Sequence, residues 1–126
     1  MTVVLSLGLV LTLALLAPLI WQRFETWAVS IHQRSTTREL ADWEQEYSKI
    51  ESLQEASRAI DMLEYIRTYY VPGEGYRSDP DTEKALESQR KHTLSAIVEA
   101  LERFSGEQNG SDLAKWQAWR ERERPR

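Results

Sequence analysis

VVLSLGLVLTLALLAPLIW, residues 3–21, decides how the rest of the chain is read. No charged side chain interrupts it. At 1.5 Å of rise per residue a helix over this stretch spans roughly 28 Å, close to the hydrocarbon thickness of a bilayer. A helix also satisfies every backbone donor and acceptor internally, which lipid demands. The stretch is therefore expected to cross a membrane once and to leave a polar remainder outside. A cleaved signal peptide would show a basic start, a shorter apolar core and a small-residue cleavage site. Here no Lys or Arg precedes the apolar run, and a cut after Ala17 would leave Pro18 first, so a retained anchor is expected.

The flanks of this stretch set its expected placement. Trp21, Phe24 and Trp27 suit the interfacial belt, where aromatic rings bridge lipid and water. Pro18 is expected to kink the span or mark its exit. Gly8 and Thr12 form a small-x-x-x-small pair that lets another helix approach closely in the membrane. No basic residue precedes the span, whereas Arg23, Arg34 and Arg38 follow it. Loops rich in Lys and Arg stay in the cytoplasm, so a single-pass protein of the bacterial inner membrane with a cytoplasmic C-terminal domain is expected.

Composition bounds the remainder. The chain has 126 residues, and one span leaves room for a single small domain. There is no Cys, so neither a disulfide nor a thiolate site is available. A formal net charge of −4 with both signs interspersed argues against a nucleic-acid partner. The mean hydropathy of −0.55 averages a greasy anchor with a very polar remainder and describes neither.

Beyond the span, residues 22–37 read as a juxtamembrane stretch able to continue the membrane helix. Ser35, Thr36 and Thr37 are candidate caps, and Glu39 lies three after Thr36 in capping-box spacing. Residues 38–70 contain neither Gly nor Pro. Leu40, Trp43, Tyr47, Ile50, Leu53, Ile60, Leu63, Ile66 and Tyr70 recur mostly in steps of three and four, which predicts one long amphipathic helix. The stripe thins at residues 54–57, where any break is expected. VPGEGYRSDP, residues 71–80, is a loop. Asp79 before Pro80 is a strong start signal for a second helix ending near Phe104, with Leu86, Leu94, Ile97, Val98, Leu101 and Phe104 inward and Gly106 as its stop. Ser111 or Asp112 caps a short last helix carrying Leu113, Trp116 and Trp119. The stretch RERERPR, residues 120–126, is expected to fray, with 123–126 as a disordered tail. The expected domains are a membrane anchor and juxtamembrane segment over 1–34 and a soluble helical domain over 35–122.

The YYVPGEG loop, the helix ending ALERFSG and the segment NGSDLAKWQAWRE resemble the HEAT-like helical repeat modules of planctomycete and related bacterial proteins. The resemblance covers residues 59–120. Gly110, Asp112, Trp116 and Trp119 match the short Trp-x-x-Trp helix, behind a Gly-x-Asp turn, that closes those modules. It implies a packed helical hairpin used for protein contacts, with no reaction attached. A solenoid stacks three or more units to bury its faces, and this chain holds one. The resemblance therefore implies that the hairpin completes its core against a partner.

Chemistry-bearing motifs are sparse. His32 and His92 lack the Glu-x-x-His or His-x-x-x-His neighbours of helical metal sites. Asp42, Glu44, Glu46, Glu51 and Glu55 scatter over a polar helix side, unlike the convergent carboxylate pair of acid–base catalysis. Gly73, Glu74 and Gly75 lack the Lys-Ser/Thr ending of a phosphate loop. No catalytic, cofactor or metal site is expected, and the protein is not expected to be an enzyme. Tyr65, Tyr69, Tyr70, Tyr76, Trp116 and Trp119 crowd a small domain. Tyr and Trp are enriched where proteins meet, so Tyr69, Tyr70, Tyr76, Trp116 and Trp119 are candidate partner-binding residues.

The expected architecture is all-α: one transmembrane helix, a long amphipathic helix, and a small HEAT-like hairpin with a short C-terminal helix. The expected function is that of a non-catalytic accessory or assembly subunit of a larger bacterial membrane complex, photosynthetic or respiratory, whose partners are integral membrane proteins and the lipid bilayer. The alternative is a self-associating scaffold, a homo-oligomer paired as a coiled coil along the 40–70 stripe.

Overall fold

The computed structural model describes residues 2–71, 73 and 75–126, and every regular element among them is an α-helix. These are α1 (Thr2–Tyr47), α2 (Leu53–Tyr69), α3 (Pro80–Ser105) and α4 (Leu113–Glu123).

At 1.5 Å per residue the 46 residues of α1 make a rod about 69 Å long. The rod runs on through Pro18, although proline has no N–H to give the carbonyl four residues back. Its front half is apolar and exposed throughout; none of the apolar window is buried, and it is long and apolar enough to cross a membrane. Ser6 and Thr12 donate their hydroxyls to the carbonyls of Thr2 and Gly8 at 2.8 and 2.7 Å, so the few polar groups here are satisfied within the helix itself. Packing begins at Ser30. From there Ser30, Gln33, Thr36 and Leu40 are buried in steps of three and four.

The helix start expected at Ser35, Thr36 or Thr37 does not exist. Thr36 and Thr37 donate their hydroxyls to the carbonyls of His32 and Gln33, as mid-helix threonines do, and α1 passes straight across the expected boundary at residues 34 and 35. The break expected at residues 54–57 falls earlier, between Tyr47 and Leu53. Ser52 is the true cap: its hydroxyl accepts from the Glu55 amide at 3.1 Å, and the Glu55 carboxylate accepts from the Glu51 amide at 2.9 Å. That reciprocal pair satisfies two amide donors at a helix start, a stronger local signal than a thin apolar stripe.

Pairings between α1 and α3 climb together: Gln33 meets Ser78, the Leu40 carbonyl accepts from the Thr93 hydroxyl at 2.8 Å, and the Ser48 carbonyl accepts from Arg103 at 3.2 Å. The back half of α1 and α3 therefore run side by side in the same direction, and α2 with the 70–79 loop carries the chain back between them. On α2 lies antiparallel α4, tied by Arg67 to the Ser111 carbonyl and by Arg120 to Asp61 at 2.6 Å. The core joins Leu40 of α1, Ala56, Ala59, Ile60, Leu63 and Ile66 of α2, Leu86, Ile97 and Leu101 of α3, and Trp116 and Trp119 of α4.

The bounds of α3 match their caps. Asp79 accepts from the Thr82 amide at 2.9 Å, Pro80 occupies the first turn, and Gly106 closes the helix in a left-handed conformation with φ of 75°. Asp112 caps α4 through the Lys115 amide at 3.2 Å. Three readings need correction. Phe104 is at the exposed rim of the core, edge-on to Trp119. Residues 120–123 are helical, because Arg120 is anchored to α2. The 40–70 stripe is not one helix: it breaks at residues 48–52, and its Leu40, Ile60, Leu63 and Ile66 are buried in the chain's own core.

Candidate functional site

The end of α2 and the loop after it carry most of the tyrosines. Tyr65 and Tyr69 lie four apart on one side of α2, and Tyr70 is its C-cap, with its amide donating to the Ile66 carbonyl. Trp43 of α1 packs edge-on against Tyr65 and Tyr70 at centroid distances of 6.1 and 5.4 Å, and Tyr65 touches Tyr69 at 4.9 Å. Such edge and offset contacts suit the ring quadrupoles. The Tyr70 hydroxyl is pushed well above its ordinary range, first by burial, then by its hydrogen bond with Tyr65 and the negative charge of Glu39.

Tyr65, Tyr69 and Tyr70 line a cleft of about 380 Å³ together with His32 and Thr36 of α1, Tyr76 of the loop and Leu86 of α3. Gln33 holds the loop in place. Its side chain is fully buried, its amide donates to the Tyr76 carbonyl at 3.2 Å, and its carbonyl accepts from the Ser78 hydroxyl. The Tyr76 ring stands edge-on to His32 at 5.5 Å. Within the loop the Tyr76 amide donates to the Gly73 carbonyl at 3.1 Å, and Gly75 takes a φ of 79°, a conformation side chains resist. Pro72 and Glu74, which belong to the expected loop, lie outside the described residues. The loop exit is fixed where the Ser78 amide donates to Glu83 at 2.8 Å and Asp79 caps α3. The Thr82 amide and hydroxyl hold the Asp79 carboxyl below its ordinary value, with the Arg34 charge adding to the effect.

The structure divides the expected partner-binding residues. Tyr69 and Tyr70 with Tyr76 come together at the cleft, Tyr69 being 71% exposed. Trp116 and Trp119 are withdrawn from any docking surface. Trp116 is fully buried with its indole N–H on the Gly110 carbonyl at 2.8 Å, and Trp119 is buried beside it. Trp21, Phe24 and Trp27 are exposed at 62%, 53% and 58%, stacked along the helix at 5.9 Å from ring to ring. The Trp21 indole donates to Glu25 at 2.6 Å. Gly8 and Thr12 sit on the bare half of α1, where a Cβ built on Gly8 would meet nothing within 4 Å.

No family model, curated protein or solved structure matches the chain. Among the described residues no three His, Cys, Asp or Glu side chains gather as a metal site. His92 is exposed, Glu44 is taken up by the Gln89 amide at 2.7 Å, and Glu55 by the cap of α2.

Sequence reasoning passed over the residues of α1 that line and support the cleft: His32 as a lining residue, Thr36, and Gln33 above all. The detectable signal was the Ser30, Gln33, Thr36, Leu40 spacing, which continues a buried face upstream of the first apolar residue of the stripe. Three of its four members are polar, so a search for apolar periodicity starts ten residues late.

Proposed function

We propose that this protein is a non-catalytic, single-span accessory or assembly subunit of a larger membrane complex, holding a helical protein-interaction module at the membrane surface. The observation that carries it is the continuity of α1, whose front half is an exposed apolar rod and whose back half is built into the helical domain. A large uncovered apolar surface is rare on proteins that live in water and marks a membrane or protein contact. Fixing the module to a span confines it near partners in the same bilayer and raises its effective concentration there. The tyrosine cleft is the candidate docking point, because its rings offer large contact area with polar tips. The Gly8 and Thr12 face of α1 is the candidate packing point for partner spans. The arginines after the span favour a cytoplasmic domain at a bacterial inner membrane, and the likeness of residues 59–120 to HEAT-like modules supports a role in protein contacts.

Mild-detergent affinity purification of the full chain, followed by mass spectrometry, tests the reading. Integral membrane proteins are expected in stoichiometric amounts with the wild type and are expected to be depleted by Tyr69→Ala. Recovery of the protein alone and in the water-soluble fraction would overturn it.

A further inference from the structure

Along one side of α1, Leu19, Arg23, Trp27, Ser30 and Arg34 recur in steps of three and four, so they form one stripe from the apolar half to the edge of the packed half, where Ser30 is buried. Asp79, at the start of α3, closes the upper end of this stripe, and together they line an open groove of about 630 Å³. Among the described residues neither Arg23 nor Arg34 makes an ion pair, although six other basic side chains do. The Asp79 carboxylate is bonded to the Thr82 amide and hydroxyl, and the Arg34 charge acts on it without closing an ion pair. Glu25, the nearest acid in sequence, is on the opposite side of the helix, where it accepts from Trp21.

Because α1 is unbroken, it measures height above the apolar stretch. Trp27 lies roughly 9 Å beyond Trp21, at the outer edge of a headgroup layer. Arg23 and Arg34 sit roughly 6 Å below and 10 Å above that level, and their flexible stems let each guanidinium reach towards a phosphate lying between them. Guanidinium binds phosphate oxygens in pairs with matching geometry. Leu19 below offers the acyl chain an apolar wall.

Resting on the reading of residues 3–21 as a span, we infer that this groove is a binding site for one glycerophospholipid, with its phosphate held between Arg23 and Arg34 and its acyl chain along Leu19. The bound lipid fills the gap between the juxtamembrane helix and the start of α3, and so couples the position of the helical domain to the leaflet.

The test uses the full chain in nanodiscs of phosphatidylglycerol and phosphatidylcholine in equal parts, released into native mass spectrometry. The wild type is expected to retain one phospholipid. The Arg23→Gln/Arg34→Gln variant is expected to lose it, with apparent affinity down about thirtyfold for two charges near an anionic surface. Lys49→Gln/Lys84→Gln, which removes the same charge from exposed positions away from the groove, is expected to retain it. Equal retention in all three proteins, or equal loss in both variants, would overturn the site. Liposome flotation of the same proteins separates this from the underlying reading: if none floats, the span and the site fall together, whereas flotation without a difference in retention removes the site alone.

Discussion

Leu11 and Gln33 sit on the same helix in surroundings that reverse their chemistry: Leu11 is 59% exposed, while Gln33 is fully buried. The reversal holds for the neighbourhoods of both. Around Leu11 every apolar side chain is uncovered, and around Gln33 the buried face of α1 is mostly Ser and Thr. Burying an amide is tolerable when both of its ends are bonded, as those of Gln33 are by Tyr76 and Ser78. Leaving a rod of Leu and Val bare is tolerable when its solvent is lipid. On the proposed reading one helix serves two solvents, and the polar half makes specific bonds to a loop where an apolar face would only have excluded water.

Substitutions that act on one half and spare the other probe this contrast. The largest effect is expected from Trp116→Ala, which empties the centre of the packed half and is expected to lower domain stability by about 3–5 kcal/mol, read from thermal unfolding in detergent, while flotation with liposomes is unchanged. Leu11→Arg does the converse. It is expected to disfavour insertion by about 2.5–3.5 kcal/mol, seen as alkaline extraction from membranes, and to leave the unfolding of the domain where it was.

Gln33→Ala sharpens the contrast from the polar side. It strands the Tyr76 carbonyl and the Ser78 hydroxyl, so a loss of about 1–3 kcal/mol is expected, with faster amide exchange confined to residues 75–79. A stability equal to wild type would mean that the buried amide contributes nothing. At Ser52, truncation to Ala removes the α2 cap and is expected to cost about 1 kcal/mol, whereas Thr36→Ala, at the other Ser/Thr-x-x-Glu match, is expected to show no capping loss.

The pair Ser52 and Thr36 also explains how much of the fold was legible. Helix α3 and the start of α4 could be read because Asp79-Pro80, Gly106 and Asp112 act through their immediate neighbours. The break between α1 and α2 was misplaced because the thinning of the apolar stripe at residues 54–57 stood for it, whereas the Ser52 capping box sets it, and only tertiary contacts tell that box from the Thr36 match, which caps nothing. Thr36 lies on a face already held by Gln33 and Ser30, which keeps the helix going. Of the candidate site, Tyr69, Tyr70 and Tyr76 were legible as aromatic crowding. Trp116 and Trp119 carry the same signature yet fill the core, since composition does not distinguish a ring that α4 turns inward from one left at a loop.

A smaller effect is expected from acid. The Asp79 carboxyl is held below its ordinary value of 3.8 by its bonds to Thr82, so the folded chain binds fewer protons there than the unfolded chain. Its contribution is complete above that value and is lost as pH falls through and below it. Asp79→Asn, which keeps a cap without the titration, is expected to flatten that part of the stability profile.

Because the chain has no native cysteine, single labels report without background. Nitroxides at Leu11→Cys and Lys115→Cys, with the full chain in liposomes, test the two-solvent helix most directly. The account predicts that the label at position 11 collides with lipid-dissolved oxygen and is shielded from an aqueous nickel chelate, with the reverse at position 115. Equal access of the chelate to both labels would contradict it.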